Sequence, residues 1–559
     1  MGNIVLNLLV LIGIALAHDC RYTYRKGISC EKSFSFDQLK KGVEESIKND
    51  EIKSEDFQGL EIAYSQIDFL PAMFEEFSHI KFFNVFYSNI SDIPAGAFNK
   101  LKYLEELEIG FNDVQSINDK AFSKLLNLKK FAFYESRIEK FAKYAFDDLH
   151  SLIKLDLHNN HLVELESGAF DNLPKLEELI LYGNNLTQLP QNIFKKSSQL
   201  TELLLGNNLI DHFTEDTFQG LRRLKTLKLS NNRLVELSPG LFKDLEQLNE
   251  LELQKNRIEQ LNDGVFSNLK NLKNLDLSEN QIKHLDTEVF KSLSKLPELN
   301  LKKNLLESLP DGVFANNPHI STLLLKSNKL SKITPKMIEG LKGLRNLVLS
   351  KNQISYIDPH SFKELNNLRE LDLSNNQLQS DNLGFIEYLT KIKSLSLSKN
   401  KIEAIPTGAF DNLTLLQNFQ LHDNRITRLE NNVFDKFRRI YELDLSNNNI
   451  EYMEAGIFKN LNSLVTLNLN GNKLKTVEKE FFRGLSSISV FELENNPITT
   501  ISCDFFQAIP AVQFLYLKKL LIDNFPVNCM SHLQLQKLEI KETNLKILKK
   551  RNIYWIRCA

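Results

Sequence analysis

The feature that most constrains this chain is a spacing. Asparagine stands at 112, again at 160, and from there at every 24th position to 496, each time inside the frame L-x-x-L-x-L-x-x-N-x-L. Ser88 and Ser136 hold two earlier slots of that frame and Leu520 a later one, so the register runs unbroken from 88 to 520. A unit this short cannot bury an apolar face alone and must stack on copies of itself. In LRELDLSNNQL, Leu368 to Leu378, Leu371 and Leu373 point one way while Glu370, Asp372 and Ser374 point the other, the alternation of a strand. Each coil must turn sharply after that strand, leaving interior-facing backbone groups without strand partners. An asparagine amide offers both donors and an acceptor, so a stack of amides can bond to the turns around it. Leu520 lacks these groups, which predicts fraying or a change of path there.

A second ladder falls ten residues after the first. It is phenylalanine from Phe98 to Phe506, interrupted by Ile338 and Ile386, and it accounts for 16 of the 38 phenylalanines in a chain with one tryptophan. Stacked rings at those positions would fill the core behind the sheet, each contributing ~1.5–3 kcal/mol of burial. The phenylalanine excess therefore needs no ligand.

These residues carry a resemblance to the leucine-rich repeat family, over roughly residues 57–545 with about 21 repeats once the shorter units around Ser65 and Thr543 are included. The resemblance implies an α/β-type solenoid, a horseshoe whose concave side is a parallel β-sheet and whose convex side is mostly irregular or short-helical. Strands ~4.8 Å apart over some 20 steps would make an arc of about 100 Å. Residues 18–56 would cap one end and 546–559 the other, because a terminal coil exposes its apolar interior.

Residues 1–17, with an apolar run from Ile4 to Leu16 and small residues at Ala15 and Ala17, read as a secretory signal peptide. No other stretch approaches the ~20 apolar residues of a membrane-spanning helix, so the chain is expected to be secreted, extracellular and without a membrane span. The five cysteines would then meet an oxidising compartment. Cys20 and Cys30 can close an N-terminal loop, while Cys503, Cys529 and Cys558 cannot all pair among themselves, so one thiol is free or joined to a partner chain. A formal net charge of -2 favours neither nucleic acid nor anionic membrane.

Catalytic signatures are missing. There is no Gly-rich phosphate loop, C-x-x-C or H-E-x-x-H pattern. His158 and His161 have a spacing that suits a metal, yet no third ligand type clusters near them. Neither an enzyme, a cofactor nor a metal is expected.

The repeats serve as controls for one another. Units reading LDLSNN place Asp372 and Asp444 outward, as an ordinary solvated coil would. The N-terminal units instead put Phe82, Phe86, Tyr87, Phe111, Tyr134, Ile180, Tyr182 and Leu204 at outward strand or strand-end positions. Neighbouring coils would gather these into an aromatic patch of the kind that anchors interfaces, unless the N-terminal cap folds over Phe82 to Phe111. Sequons at Asn89, Asn185 and Asn412 are candidate glycosylation sites on exposed positions. The unbroken phenylalanine-rich array is similar to Toll-type ectodomains, chaoptin-like adhesion proteins and secreted insect leucine-rich immune proteins. That likeness implies a binding protein for a protein or glycan partner in innate immune recognition. A matrix or adhesion component, and a carrier or inhibitory subunit of another secreted protein, are the alternatives.

Overall fold

The structure, a computed structural model, describes residues 19–23, 26–33, 35–49, 57–66, 74–430 and 432–543. The expected signal peptide and the expected cap at 546–559 lie outside these residues. Two compact units divide the chain, one of residues 1–258 with 264–272 and one of residues 259–263 with 273–559. Each is a parallel β-solenoid with little helix.

The first unit opens on an antiparallel pair, Asp19–Tyr22 with Gly27–Glu31, in which Cys20 faces Cys30 and is bonded to it. A helix, Phe36–Asn49, covers this pair with Leu39 and Val43, both fully buried. Gly42 lies on the same helix where a side chain would meet Cys20 Sγ at 2.5 Å, so the disulfide needs a glycine there. Strand Gly27–Glu31 then pairs in parallel with Gly59–Ala63, which makes the cap the first coil of the stack. From there each strand pairs with its neighbour one frame on: Leu107 faces Phe131, Phe131 faces Leu155, and Leu179 faces Leu203. The second unit keeps the same register from Asn274–Asp276 to Lys537–Glu539, with Leu347 facing Leu371 and Leu515 facing Leu538.

Behind the sheet the chain runs mostly through turns. Short helical pieces interrupt them at Pro335–Ile338, Ser380–Asn382, Gly384–Tyr388 and Cys503–Ala508. The first and third carry Ile338 and Ile386, the two residues that interrupt the phenylalanine ladder. Elsewhere the rings stack nearly parallel, with centroids 6.4 Å apart for Phe170 and Phe194 and 6.1 Å for Phe434 and Phe458. The coil spacing, and not ring attraction, sets that distance. Phe141 wedges against Phe146 and Phe170 at 5.0 and 6.3 Å, where the regular stack is bridged by a ring from the flank.

The asparagine ladder does what its position demands. Asn376 donates from Nδ2 to Leu349 O of the preceding coil and Leu373 O of its own, both at 3.0 Å, while its Oδ1 accepts from Ile354 N at 3.0 Å. Its bonds thus run to its own turn and the turn before. Ser136 manages half of this, donating to Tyr134 O at 2.9 Å and accepting from Asn112 N at 3.1 Å. The chain reverses by placing the residue before each ladder slot in the left-handed region, for example Asn375 at φ 55° and Lys399 at φ 54°. Leu520 causes no fraying: it is fully buried, Lys519 before it has φ 54°, and Lys519 N still bonds to Lys541 O at 2.9 Å. Packing on neighbouring coils holds the turn without the amide. Among the described residues no helix is long and apolar enough to cross a membrane.

Replacing Asn376 with Leu leaves the buried Ile354 N without its partner, at about 1–3 kcal/mol, and removes one of the two amide bonds that Leu349 O and Leu373 O each receive, the others coming from Asn352 and Asn400. Asn376→Leu should therefore lower the urea midpoint by far-UV circular dichroism, and Asn376→Ser should lose roughly half as much. Equal losses would remove the ladder bonds as the cause.

Candidate functional site

The outward side of the first unit's sheet carries an aromatic run built by the turn itself. Tyr64, Tyr87 and Phe111 each occupy the residue before a ladder slot, in three successive coils, at φ 51°, 48° and 56°. A bulky side chain seldom adopts this region, where Cβ crowds the backbone at a cost of roughly 1–2 kcal/mol. Later coils hold no aromatic residue at the same place: some use Asn or Gly, which tolerate it, as at Asn159, Gly183, Asn207 and Asn231, and others use Glu or Lys, as at Glu135, Lys255 and Glu279. The three rings stack face to face, Tyr64 on Tyr87 at 5.0 Å and Tyr87 on Phe111 at 4.3 Å. The run then shifts by one column, Phe111 meeting Tyr134 edge-on at 5.7 Å and Tyr134 stacking on His158 at 4.6 Å. Gly110 makes that shift feasible: a side chain there would meet the Tyr134 ring at 2.8 Å and the Phe86 ring at 3.3 Å.

Carboxylates fix the rings from beside. Tyr134 donates its hydroxyl to Glu108 at 2.7 Å, and burial, then this bond, push its phenol well above the usual range. His158 Nδ1 lies 2.7 Å from Asp156 Oδ1, and that bond raises the imidazole above its ordinary value, aided by the charge of Glu135 and opposed by burial and Lys154. Around them Lys129 pairs with Glu105, Lys130 with Glu106 and Lys154 with Glu178, at 2.6–2.9 Å.

The structure sorts the eight candidate residues. Tyr87, Phe111 and Tyr182 are exposed, Tyr87 by 46% and Phe111 by 38%. Phe86, Tyr134, Ile180 and Leu204 are half-buried on the same face. Phe82 is not part of the open surface. It is only 9% exposed, because its ring lies back across Gly27 and Gly59, where any side chain would meet it at 2.3 Å. The cap therefore covers Phe82 and stops short of Tyr87 and Phe111. Ile180, Tyr182 and Leu204 continue the face over two further coils, with no ring contact among the described residues linking Tyr182 to His158. Sequence reasoning missed Tyr64 and His158. His158 sits in frame, one repeat after Tyr134, and counting forward by repeats would have found it, whereas Tyr64 lies 23 residues before Tyr87, one short of the frame. His158 is engaged by Tyr134 and Asp156, and among the described residues no group of three or more His, Cys, Asp or Glu side chains is placed to hold a metal.

A stacked parallel sheet with an amide ladder repeated coil after coil defines the class as a repeat solenoid. Two family profiles cover most of its length, the BspA type leucine rich repeat region in six copies over residues 91–225 and the leucine rich repeat at 222–282, 270–330, 318–378, 390–450, 438–498 and 462–521. The chain belongs to the leucine-rich repeat family. Neither profile is catalytic. No curated protein matches it in sequence. Among solved structures it is similar to Toll from the Drosophila Toll–Spatzle complex, at 18% identity and a TM-score of 0.59 over 87% of this chain and 74% of that one. The glycosylated form of that complex gives 17% identity and 0.60 over 92% and 88%. TLR13 in its ssRNA13 complex gives 23% identity and 0.50 over 95% and 90%. At these identities the likeness establishes the fold.

Two outcomes check this geometry. Tyr87→Asn with Phe111→Asn places at this φ a residue that tolerates it and that several later coils use, so relief of backbone strain offsets lost stacking of ~0.5–1.5 kcal/mol per pair. Stability in urea should change by no more than about 1 kcal/mol. His158 is stabilised in its charged form, so its contribution is fully present below the free imidazole value of ~6.5 and fades as pH rises through the higher folded value. The stability gap between the protein and His158→Gln should accordingly be wider at the acid end of that window than at the alkaline end; a gap growing with pH would contradict the Asp156 contact.

Proposed function

We propose that the chain is a secreted, non-enzymatic binding protein of innate immune recognition that engages a protein partner through the aromatic run of its first unit. One observation carries this reading: three successive coils put the rings of Tyr64, Tyr87 and Phe111 at a left-handed turn position that every later coil fills with a polar or charged residue or glycine, such as Glu135, Asn159, Gly183 or Lys255. Fold stability alone gives no reason to retain them, and exposed aromatic clusters are what interfaces use. Face-to-face stacking favours a protein over a glycan, because sugar rings dock on open aromatic faces and these faces are largely occupied. The immune setting rests on the solved neighbours, one described as a hub in Drosophila development and innate immunity. The disulfides and the leader-like residues 1–17 support secretion, and exposed Asn89, Asn185 and Asn412 support glycosylation.

The test is retention of proteins from the extracellular fluid in which the chain occurs, on immobilised protein and on its Tyr87→Asn/Phe111→Asn variant. Loss of a specific protein on the variant is expected. Unchanged retention would overturn the reading, and selective retention of oligosaccharides would move it to a glycan ligand.

A covalent partner is the other part of this proposal. Cys20 pairs with Cys30 and Cys503 with Cys529, so of the five cysteines Cys558 is left over. It lies outside the described residues. A reducible species above single-chain mass is expected on non-reducing electrophoresis and should vanish in Cys558→Ser; a single-chain band before reduction would end this part of the reading.

A further inference from the structure

The aromatic run is flanked by carboxylates that the protein does not neutralise. Among the described residues, Lys129, Lys130 and Lys154 are each held by Glu105, Glu106 and Glu178. Glu61 takes a hydrogen bond from Ser29 at 3.1 Å, Glu108 from Tyr134, and Glu135 from Asn159 at 2.7 Å. Their partners are a hydroxyl, a phenol and an amide, none of them a cation. Glu202, beside Leu204, is half-buried on the same face. Of the other cations of these coils, Arg137 is paired with Asp113 at 3.3 Å, and Lys32 and Lys81 lie toward the cap. Asp156 is matched by His158 only when the imidazole is charged.

Ring geometry selects what meets these charges. Tyr64, Tyr87 and Phe111 cover one another's faces and present edges outward. Ring edges carry the positive end of the quadrupole and do not attract a cation. A cationic side chain would therefore seek the carboxylates, of which Glu108 and Glu135 are 27 residues apart in sequence but on adjacent coils, while apolar side chains lie along the ring edges. Resting on the proposed binding face, we infer that the partner is a protein segment in which basic side chains alternate with apolar ones.

Short synthetic peptides repeating Lys-Leu-Ser, Gln-Leu-Ser or Glu-Leu-Ser, equal in length and apolar content, test this by biolayer interferometry on the full secreted chain at low and at physiological ionic strength. The expected order is Lys-Leu-Ser over Gln-Leu-Ser over Glu-Leu-Ser. The variant Glu61→Gln/Glu108→Gln/Glu135→Gln keeps every acceptor oxygen that Ser29, Tyr134 and Asn159 use, and it should weaken the lysine peptide on the order of tenfold and flatten its salt dependence. Equal binding of the lysine and glutamate peptides, no effect of the glutamine variant, or stronger binding of heparin than of the lysine peptide would each overturn the inference. The Tyr87→Asn/Phe111→Asn variant separates the two levels of reading. If it loses the neutral peptide while the glutamine variant changes nothing, the binding face stands and the basic partner falls. If neither variant alters any peptide, both fall.

Discussion

The turn after each strand is the constraint on which the rest of this structure depends. It strands backbone amides and carbonyls in an apolar interior, and each must find a partner there. The ladder asparagines supply those partners with two donors and an acceptor each, one turn at a time, at about 3.0 Å. Because the solution is the same in coil after coil, the backbone before the slot is the same too, left-handed at the preceding residue. Every outward column is thereby fixed, and side chains 24 residues apart become neighbours. The surface is then a matter of side-chain choice on a repeated backbone.

That repetition gives the aromatic run its meaning. In an irregular protein a strained tyrosine has no internal reference. Here Asn207 and Asn231 occupy the equivalent position of Phe111 at φ 56° and 53°, so the alternative is present in the same molecule. Stacking of Tyr87 on Phe111 recovers part of what their backbone loses, which explains how the rings persist but not why they are there. The contacts to Glu108 and Asp156 point the same way, since they lock ring orientation on a face that core packing leaves free.

What the sequence alone reveals follows the same division. Features set by the repeat were legible: the strand register, the amide ladder, the phenylalanine stack and its breaks at Ile338 and Ile386. Features set by contacts that depart from the 24-residue step were not. Phe82 looks outward by its frame, yet it folds back over two glycines, and the glycine partner in the cap, Gly27, lies outside the repeat count. Tyr64 belongs to a unit one residue short, so its place in the column emerges only when Ala63 is seen to pair with Phe86. Leu520 reads as a failed ladder residue because the frame equates an asparagine with the turn it serves. In the structure the turn survives through burial of Leu520 between neighbours, a contribution that no single position announces. The pairing of Cys503 with Cys529 spans slightly more than one repeat, a separation that equals one coil in space.

Stacking also decides how such a face can be used. Five rings spread flat over a sheet would offer open faces and suit a planar or sugar ligand. The turn geometry instead aligns the first three side by side, so that their faces close on one another and an apolar ridge of edges remains. Gly110 then lets the run change column, which brings Tyr134 and His158 against Glu108 and Asp156 and adds fixed negative charge along the ridge. The proposed partner would have to wrap the two sides of this ridge, which an extended or looped polypeptide can do with alternating side chains and a rigid planar ligand cannot.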